Sequence, residues 1–158
     1  DPTYALKTLL GNANIETNKA GETVVTDRYN FNEAEPKNLS DYAMSGADCS
    51  INPDVNRLVS EVHLLQKPIG AICIAPAMMA KILGNLDESA NLTIGTDKAT
   101  AGDIKAMGSV HVSCPVDEMV VDKEKRIVTT PAYMEAKSIK DAAEGIEKLV
   151  AEVLAMVE

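Results

Sequence analysis

From residue 50 onward the apolar positions fall into regular blocks. Asn52 stands as a helix cap with Pro53 at the first helical position. Val55, Leu58, Val59, Val62 and Leu65 then recur at three- and four-residue spacing, which predicts an amphipathic helix stopped by Lys67-Pro68. Ile69 to Ile74 is short and nearly all apolar, the pattern of a strand buried on both faces, as in a parallel sheet. Pro76 opens a second helix through Met78, Met79, Ile82 and Leu83, with Gly84 at its end. Leu92 to Gly95 reads as the next strand. Thr100 and Asp103 form a capping-box pattern for a short helix to Met107 and Gly108. Val110 to Ser113 is a further strand. Met119 to Val121 and Ile127 to Thr130 flank the charged turn Asp122 to Arg126 and predict a hairpin. Ser138 and Asp141 repeat the capping pattern, and Ile139, Ala142, Ala143, Ile146, Leu149, Val150, Val153, Leu154 and Val157 line one face of a closing helix. Strand and helix alternate, so the class is α/β with a largely parallel sheet.

The first 36 residues have a different texture. Asn12, Asn14, Asn18, Asn30 and Asn32 crowd this stretch, with Gly11 and Gly21 among them. Tyr4 to Leu10 reads as a short helix ending at Gly11, and Glu22 to Arg28 as a strand centred on Val24 and Val25. The whole chain of 158 residues fits one domain with a core of its own, residues 1–158.

Composition removes several function classes. Fifteen basic against 24 acidic residues leave a net charge of −9, which repels phosphate backbones and anionic lipid, so neither nucleic acid nor a membrane is expected as a partner. The chain has no Trp, one Phe and four Tyr, too few for stacking platforms. Cys49, Cys73 and Cys114 are widely spaced, there is no CxxC and there are two His, so neither a zinc site nor a disulfide framework is expected. That cysteine usage fits a reducing compartment and places the chain in the cytoplasm. No apolar run approaches the ~20 residues of a membrane span, and no signal peptide opens the chain. The start at Asp1-Pro2, without Met, reads as a trimmed or processed end. No P-loop or GxGxxG occurs, so nucleotide binding has no support.

Chemistry concentrates at Gly70-Ala71-Ile72-Cys73-Ile74-Ala75-Pro76, where a buried strand gives way to a helix within two residues of a cysteine. A nucleophile elbow needs that context. Its turn is sharp, so the residues two before and two after the nucleophile must be small, and here they are Ala71 and Ala75. A helix N-terminus behind Cys73 would stabilise a thiolate. The backbone N–H of Ile74 would face an oxyanion. A buried structural cysteine has the same spacing, and spacing alone does not choose between the two.

Lys67-Pro-Ile-Gly-Ala-Ile-Cys-Ile-Ala-Pro-Ala-Met78, Leu92-Thr-Ile-Gly-Thr-Asp97, Cys114-Pro-Val-Asp-Glu118 and Val120-Val-Asp122 through Ile127-Val-Thr-Thr-Pro-Ala-Tyr-Met134 resemble the ElbB glyoxalase family, as do Lys37-Asn-Leu-Ser40 and Gly46-Ala-Asp-Cys49. That family lies in the PfpI-like, class I glutamine-amidotransferase-like superfamily. The resemblance covers residues 37–158. It implies a flavodoxin-like three-layer sandwich, Cys73 as nucleophile, and a cofactor-independent conversion of glyoxal or methylglyoxal to the hydroxy acid, with no metal or glutathione. It also implies a homodimer and a small dicarbonyl as substrate.

The family pattern further includes an N-terminal strand that supplies a Glu beside the cysteine, and a Gly-Gly turn before Lys37. Neither is visible, and Glu35-Pro36 stands where the turn is expected. Either the stretch carrying these strands is absent from this sequence, or the chain is a shortened member. Two other readings therefore stand beside the glyoxalase: a non-catalytic or redox-sensing thiol module, and an amidotransferase-like subunit. Ile74 follows the cysteine where related amidotransferases often carry His, which weighs against the last.

Four more residues are candidates. Thr96, Thr130 and Tyr133 follow strands, and in open α/β sheets the carboxyl ends of strands border the ligand crevice, so they are expected to line the pocket. His111 is a possible acid/base. His63, at the edge of a helix stripe, reads as structural or solvated. Cys49 and Cys114 read as small core residues.

Overall fold

The computed structural model describes residues 14–17, 23–26 and 39–157. Two compact units are present, 1–37 and 38–158. In the first, β1 (Asn14–Thr17) and β2 (Thr23–Thr26) form an antiparallel hairpin. The strand expected over Glu22 to Arg28 is thus present as β2, with a partner strand that the sequence pattern did not announce. The helix expected over Tyr4 to Leu10 lies outside the described residues.

The second unit runs α1 (Tyr42–Ser45), a 3-10 turn (Gly46–Asp48), α2 (Pro53–Leu64), β3 (Ile69–Ile72), α3 (Ala75–Asn85), β4 (Asn91–Leu92), α4 (Lys98–Ala106), β5 (Val110–His111), β6 (Val120–Asp122), β7 (Ile127–Thr130), a 3-10 turn (Ala132–Met134) and α5 (Ile139–Ala155). This is the α/β class with helices packed on a sheet, as expected. Strand β7 is the hub: β3 pairs with it in parallel and β6 in antiparallel. Strands β4 and β5 form a second parallel pair. The sheet is therefore mixed, because the β6–β7 hairpin brings one antiparallel edge into it.

Side chains tie the two strand sets together. Asn91 N–H donates to Asp122 Oδ2 at 2.8 Å, and Thr93 N–H donates to Thr129 Oγ1 at 2.9 Å. Asp122 is the register partner of Ile127. Rising numbers on β4 thus track rising numbers on β7, so β3, β4 and β7 all present their carboxyl ends at one rim.

Successive residues of a strand face opposite sides of a sheet, and β3 shows what covers each. Gly70 has no side chain, and the space a Cβ would take is filled by Leu149 Cδ2 and Val153 Cγ2 of α5. Ala71 faces the other way, into the core with Ala77, Met79, Ala80 and Leu83 of α3, Leu92, Ile94, Ile104 and Ile127. A strand between two helices gives the three-layer arrangement that the fold class implies.

Several expectations shift in detail. The apolar run at β3 reads as a strand buried on both faces, yet only Ala71 is fully buried, and among the described residues β7 is its one strand neighbour. Apolar content marks the strand without fixing its place in the sheet. Gly84 does not end α3, which continues to Asn85; it sits there because a Cβ would lie 2.5 Å from the Met107 carbonyl oxygen. The cap of α4 is Asp97, accepting from Thr100 N–H at 2.8 Å, and not Thr100. Asp103 instead accepts the Tyr42 hydroxyl at 2.7 Å, and burial together with this bond pushes the Tyr42 hydroxyl up to about 12. Asn52 and Ser138 cap α2 and α5 as their positions predict.

His63 is 1% exposed, with Nε2 2.9 Å from Glu88 Oε2. Lys125 Nζ donates to the same oxygen at 2.8 Å. This cluster fastens α2 to the loop after α3 and to the β6–β7 turn, which makes His63 structural and not solvated. Among the described residues no helix is long and apolar enough to cross a membrane.

Candidate functional site

Cys73 occupies the two-residue turn between β3 and α3, half-buried, with φ +64°. The left-handed region is uncommon for a residue with a Cβ, costing ~1–2 kcal/mol, and is held only where the surroundings enforce it. The surroundings are plain. Cys73 N–H donates to the Thr130 carbonyl at 3.1 Å, so the end of β7 anchors the backbone on one side. Immediately after, Ile74 caps α3, and Pro76 near the first turn fixes the helix direction. Ala71, in the core, leaves room for the bend.

Ile74 has φ −90° and ψ −13°, and its side chain is 36% exposed. Among the described residues no backbone acceptor takes its N–H. A second left-handed non-glycine residue, Ala132 (φ +42°), stands at the same rim just after β7. Three further left-handed non-glycine residues, Gln66, Asp87 and Arg126, lie in turns away from this rim.

Thr130 is fully buried. Its Oγ1 donates to the Glu118 carbonyl at 2.8 Å while its own carbonyl accepts from Cys73, so it braces the turn from below. Gly145 of α5 packs directly against it: a Cβ there would lie 2.7 Å from Thr130 Oγ1 and would overlap the Val116 carbonyl oxygen. Tyr133 lies on the exposed 3-10 turn beyond β7, its side chain 67% exposed.

Thr96 is exposed at the carboxyl end of β4. Its N–H and its Oγ1 both donate to Glu135 Oε1. Glu135 is the site residue that sequence reasoning passed over. The available signal was its place, two residues past Tyr133 on the segment leaving the last strand of the sheet.

His111 Nε2 lies 3.5 Å from Ile94 N, positioned to accept that N–H, and burial pushes the imidazole down from its usual range, aided by Lys105. The ring is engaged with Ile94, two residues beyond β4. The rim thus brings together Cys73 with Thr130, and Thr96 with Glu135, while His111 is tied to Ile94 on the strand leading to Thr96.

The other two thiols belong to the core. Cys49 is 2% exposed and burial raises it. Cys114 is 4% exposed, and burial, with Glu118, Asp117 and Glu135 nearby, pushes it up to about 11. Among the described residues no cluster of three His, Cys, Asp or Glu could hold a metal ion.

No protein-family model matches the chain. Known proteins do. The chain is 36% identical to the ES1 protein homolog, mitochondrial, of Rattus norvegicus, over 75% of this chain and 46% of that protein. It is 38% identical to the glutamine amidotransferase-like class 1 domain-containing protein 3, mitochondrial, of Homo sapiens, with the same coverage. Among solved structures, the isoprenoid biosynthesis protein with amidotransferase-like domain from Ehrlichia chaffeensis superposes with a TM-score of 0.64 at 32% identity, over 76% of this chain and 53% of that one.

These likenesses support a class I glutamine amidotransferase-like domain in this chain. It spans about half the length of the curated relatives it matches. For this amidotransferase-like domain the superfamily part of the sequence resemblance therefore stands, and the ElbB activity is a narrower reading. The cytoplasmic expectation is overturned, since the rat and human relatives and the ES1 protein of Danio rerio are all named mitochondrial. Three widely spaced cysteines argue against an oxidising compartment, but they do not distinguish one reducing compartment from another.

Proposed function

We propose that Cys73 is the nucleophile of a cofactor-independent glyoxalase acting on glyoxal or methylglyoxal. The observation that carries this reading is the left-handed backbone of Cys73 between β3 and α3, because a strained strand-to-helix turn presents a side chain at a sheet's rim for attack.

The chemistry balances without a cofactor. The thiolate adds to an aldehyde carbon and gives a hemithioacetal. A base removes the proton from that carbon to give an enediol, the neighbouring carbon is protonated, and the first carbon's hydroxyl proton is lost as the second oxygen keeps one. The first carbon thereby becomes a thioester and the second bears a hydroxyl, as a hydroxymethyl group from glyoxal or a 1-hydroxyethyl group from methylglyoxal. Water then cleaves the thioester, releasing glycolate or lactate and restoring the thiol. The N–H of Ile74, the residue after the nucleophile, is suited to hold the oxyanion formed in the addition and hydrolysis steps. Thr96 and Tyr133 border the same rim, and Thr130 lies buried beneath it.

A second reading has its own support. Cys73 is half-buried at the rim whereas Cys49 and Cys114 are enclosed by the core, which suits a redox-sensing thiol as well as a nucleophile. Glyoxal turnover by the wild-type chain and by Cys73→Ala separates the two. Hydroxy acid formed by the wild type alone supports the glyoxalase; equal rates in both chains remove Cys73 from the chemistry.

A further inference from the structure

Two donors converge on one oxygen at the end of β4. The N–H and the hydroxyl of Thr96 both point to Glu135 Oε1, although the two residues lie 39 positions apart in sequence. Gly95 makes the approach possible. It has φ +104°, and any Cβ at this position would overlap the Glu135 carboxylate. Its N–H donates to Thr93 Oγ1 at 3.0 Å, and Thr93 is itself fully buried and held against Thr129, so the turn under the carboxylate is rigid. A main-chain donor and a hydroxyl donor, set over a residue without a side chain, is an arrangement that recognises a carboxylate oxygen.

Glu135 reaches this cradle from outside. It follows the 3-10 turn Ala132–Met134 and belongs to no helix or strand. Thr96 is exposed, so the cradle is open to a molecule from solvent. It also lies at the rim where β3 presents Cys73. We propose that Gly95 and Thr96 form a subsite for a small monocarboxylate, and that Glu135 is its internal occupant, displaced when the acid binds. Naming a 2-hydroxy acid such as glycolate as the occupant rests on the reaction proposed above, whose product bears that group.

A tethered carboxylate competes at an effective concentration in the millimolar range, so for an intrinsic carboxylate Kd of about 0.1 mM its removal tightens binding of the free acid by about tenfold. The test is a titration of glycolate, followed at the Thr96 backbone amide by NMR, in the full chain carrying Cys73→Ala with Glu135 intact, with Glu135→Ala, or with Glu135→Gln. The nucleophile is absent in all three, so the outcome is independent of whether glyoxal is turned over. The expected result is a Thr96 shift in each, with glycolate about tenfold tighter once the carboxylate of Glu135 is gone. Adding Thr96→Val to the Glu135→Ala chain removes the hydroxyl and is expected to weaken glycolate again. Ethylene glycol, uncharged and of similar size, is expected to leave the amide unmoved. Equal affinity with and without the Glu135 carboxylate, or inorganic phosphate moving the Thr96 amide where glycolate does not, overturns the proposal.

Discussion

The main-chain N–H of Cys73 donates to the carbonyl of Thr130 at 3.1 Å, and this bond carries the β3–β7 pairing one residue past β3, onto the last residue of β7. It ties the turn at Cys73 to the most buried strand of the sheet. The thiol is therefore aimed by the backbone itself and does not depend on a flexible loop.

The left-handed φ of Cys73 gives a stability prediction of definite sign. Cys73→Gly relieves the conformation and is expected to be more stable than Cys73→Ala by about 1 kcal/mol. Cys73→Val, β-branched in the same region, is expected to be less stable than the alanine chain by a similar ~1 kcal/mol. Urea unfolding of the three chains checks the order, and a valine chain as stable as the glycine chain contradicts it.

The three thiols are expected to react in a fixed order. Burial raises both Cys49 and Cys114, the latter to about 11, whereas Cys73 is half-buried at the rim. At neutral pH a thiol reagent should label Cys73 first in the folded chain, with the other two following only on unfolding or well into alkaline solution. Peptide mapping after partial labelling reads the order directly.

Acid stability has a named contributor. The Lys125 ammonium, and then His63, hold the Glu88 carboxyl below its ordinary 4.5. A carboxyl depressed in the folded state stabilises the fold above its unfolded value, and that contribution is lost as pH falls from about 4.5 through the folded value. Glu88→Gln is therefore expected to lose stability near neutral pH and to show a shallower decline below about pH 4.5, measured by denaturant unfolding across pH.

Gly145 offers a test of how α5 supports the site. A Cβ there would press on the Val116 carbonyl, which cannot swing aside as a side-chain tip can. Gly145→Ala is expected to cost about 1–3 kcal/mol despite the better helix propensity of alanine. Because the same Cβ meets Thr130 Oγ1, thiol reactivity at Cys73 should change in parallel.

Local signals were legible in the sequence. The Asn52-Pro53 cap, the strand–turn–helix around Cys73 and the β6–β7 hairpin are each written within a few consecutive residues. What was hidden depends on partners far along the chain. His63 looked like a stripe-edge residue because its partner Glu88 lies 25 positions away. Glu135 carried no motif because its role comes from Thr96. The closing helix looked apolar over nine positions, yet Ile139, Val150, Leu154 and Val157 are exposed, since packing on one sheet buries only a limited stripe of a helix.

If Cys73 is the nucleophile, substrate carbon becomes bonded to its sulfur during turnover. Rapid acid quenching of the wild-type chain acting on glyoxal, followed by peptide mass mapping, reads that bond. A hydroxyacyl group is expected on the peptide bearing Cys73 and none on those bearing Cys49 or Cys114. Glycolate accumulating while the Cys73 peptide stays unmodified at every quench time, with turnover preserved in Cys73→Ala, would contradict it.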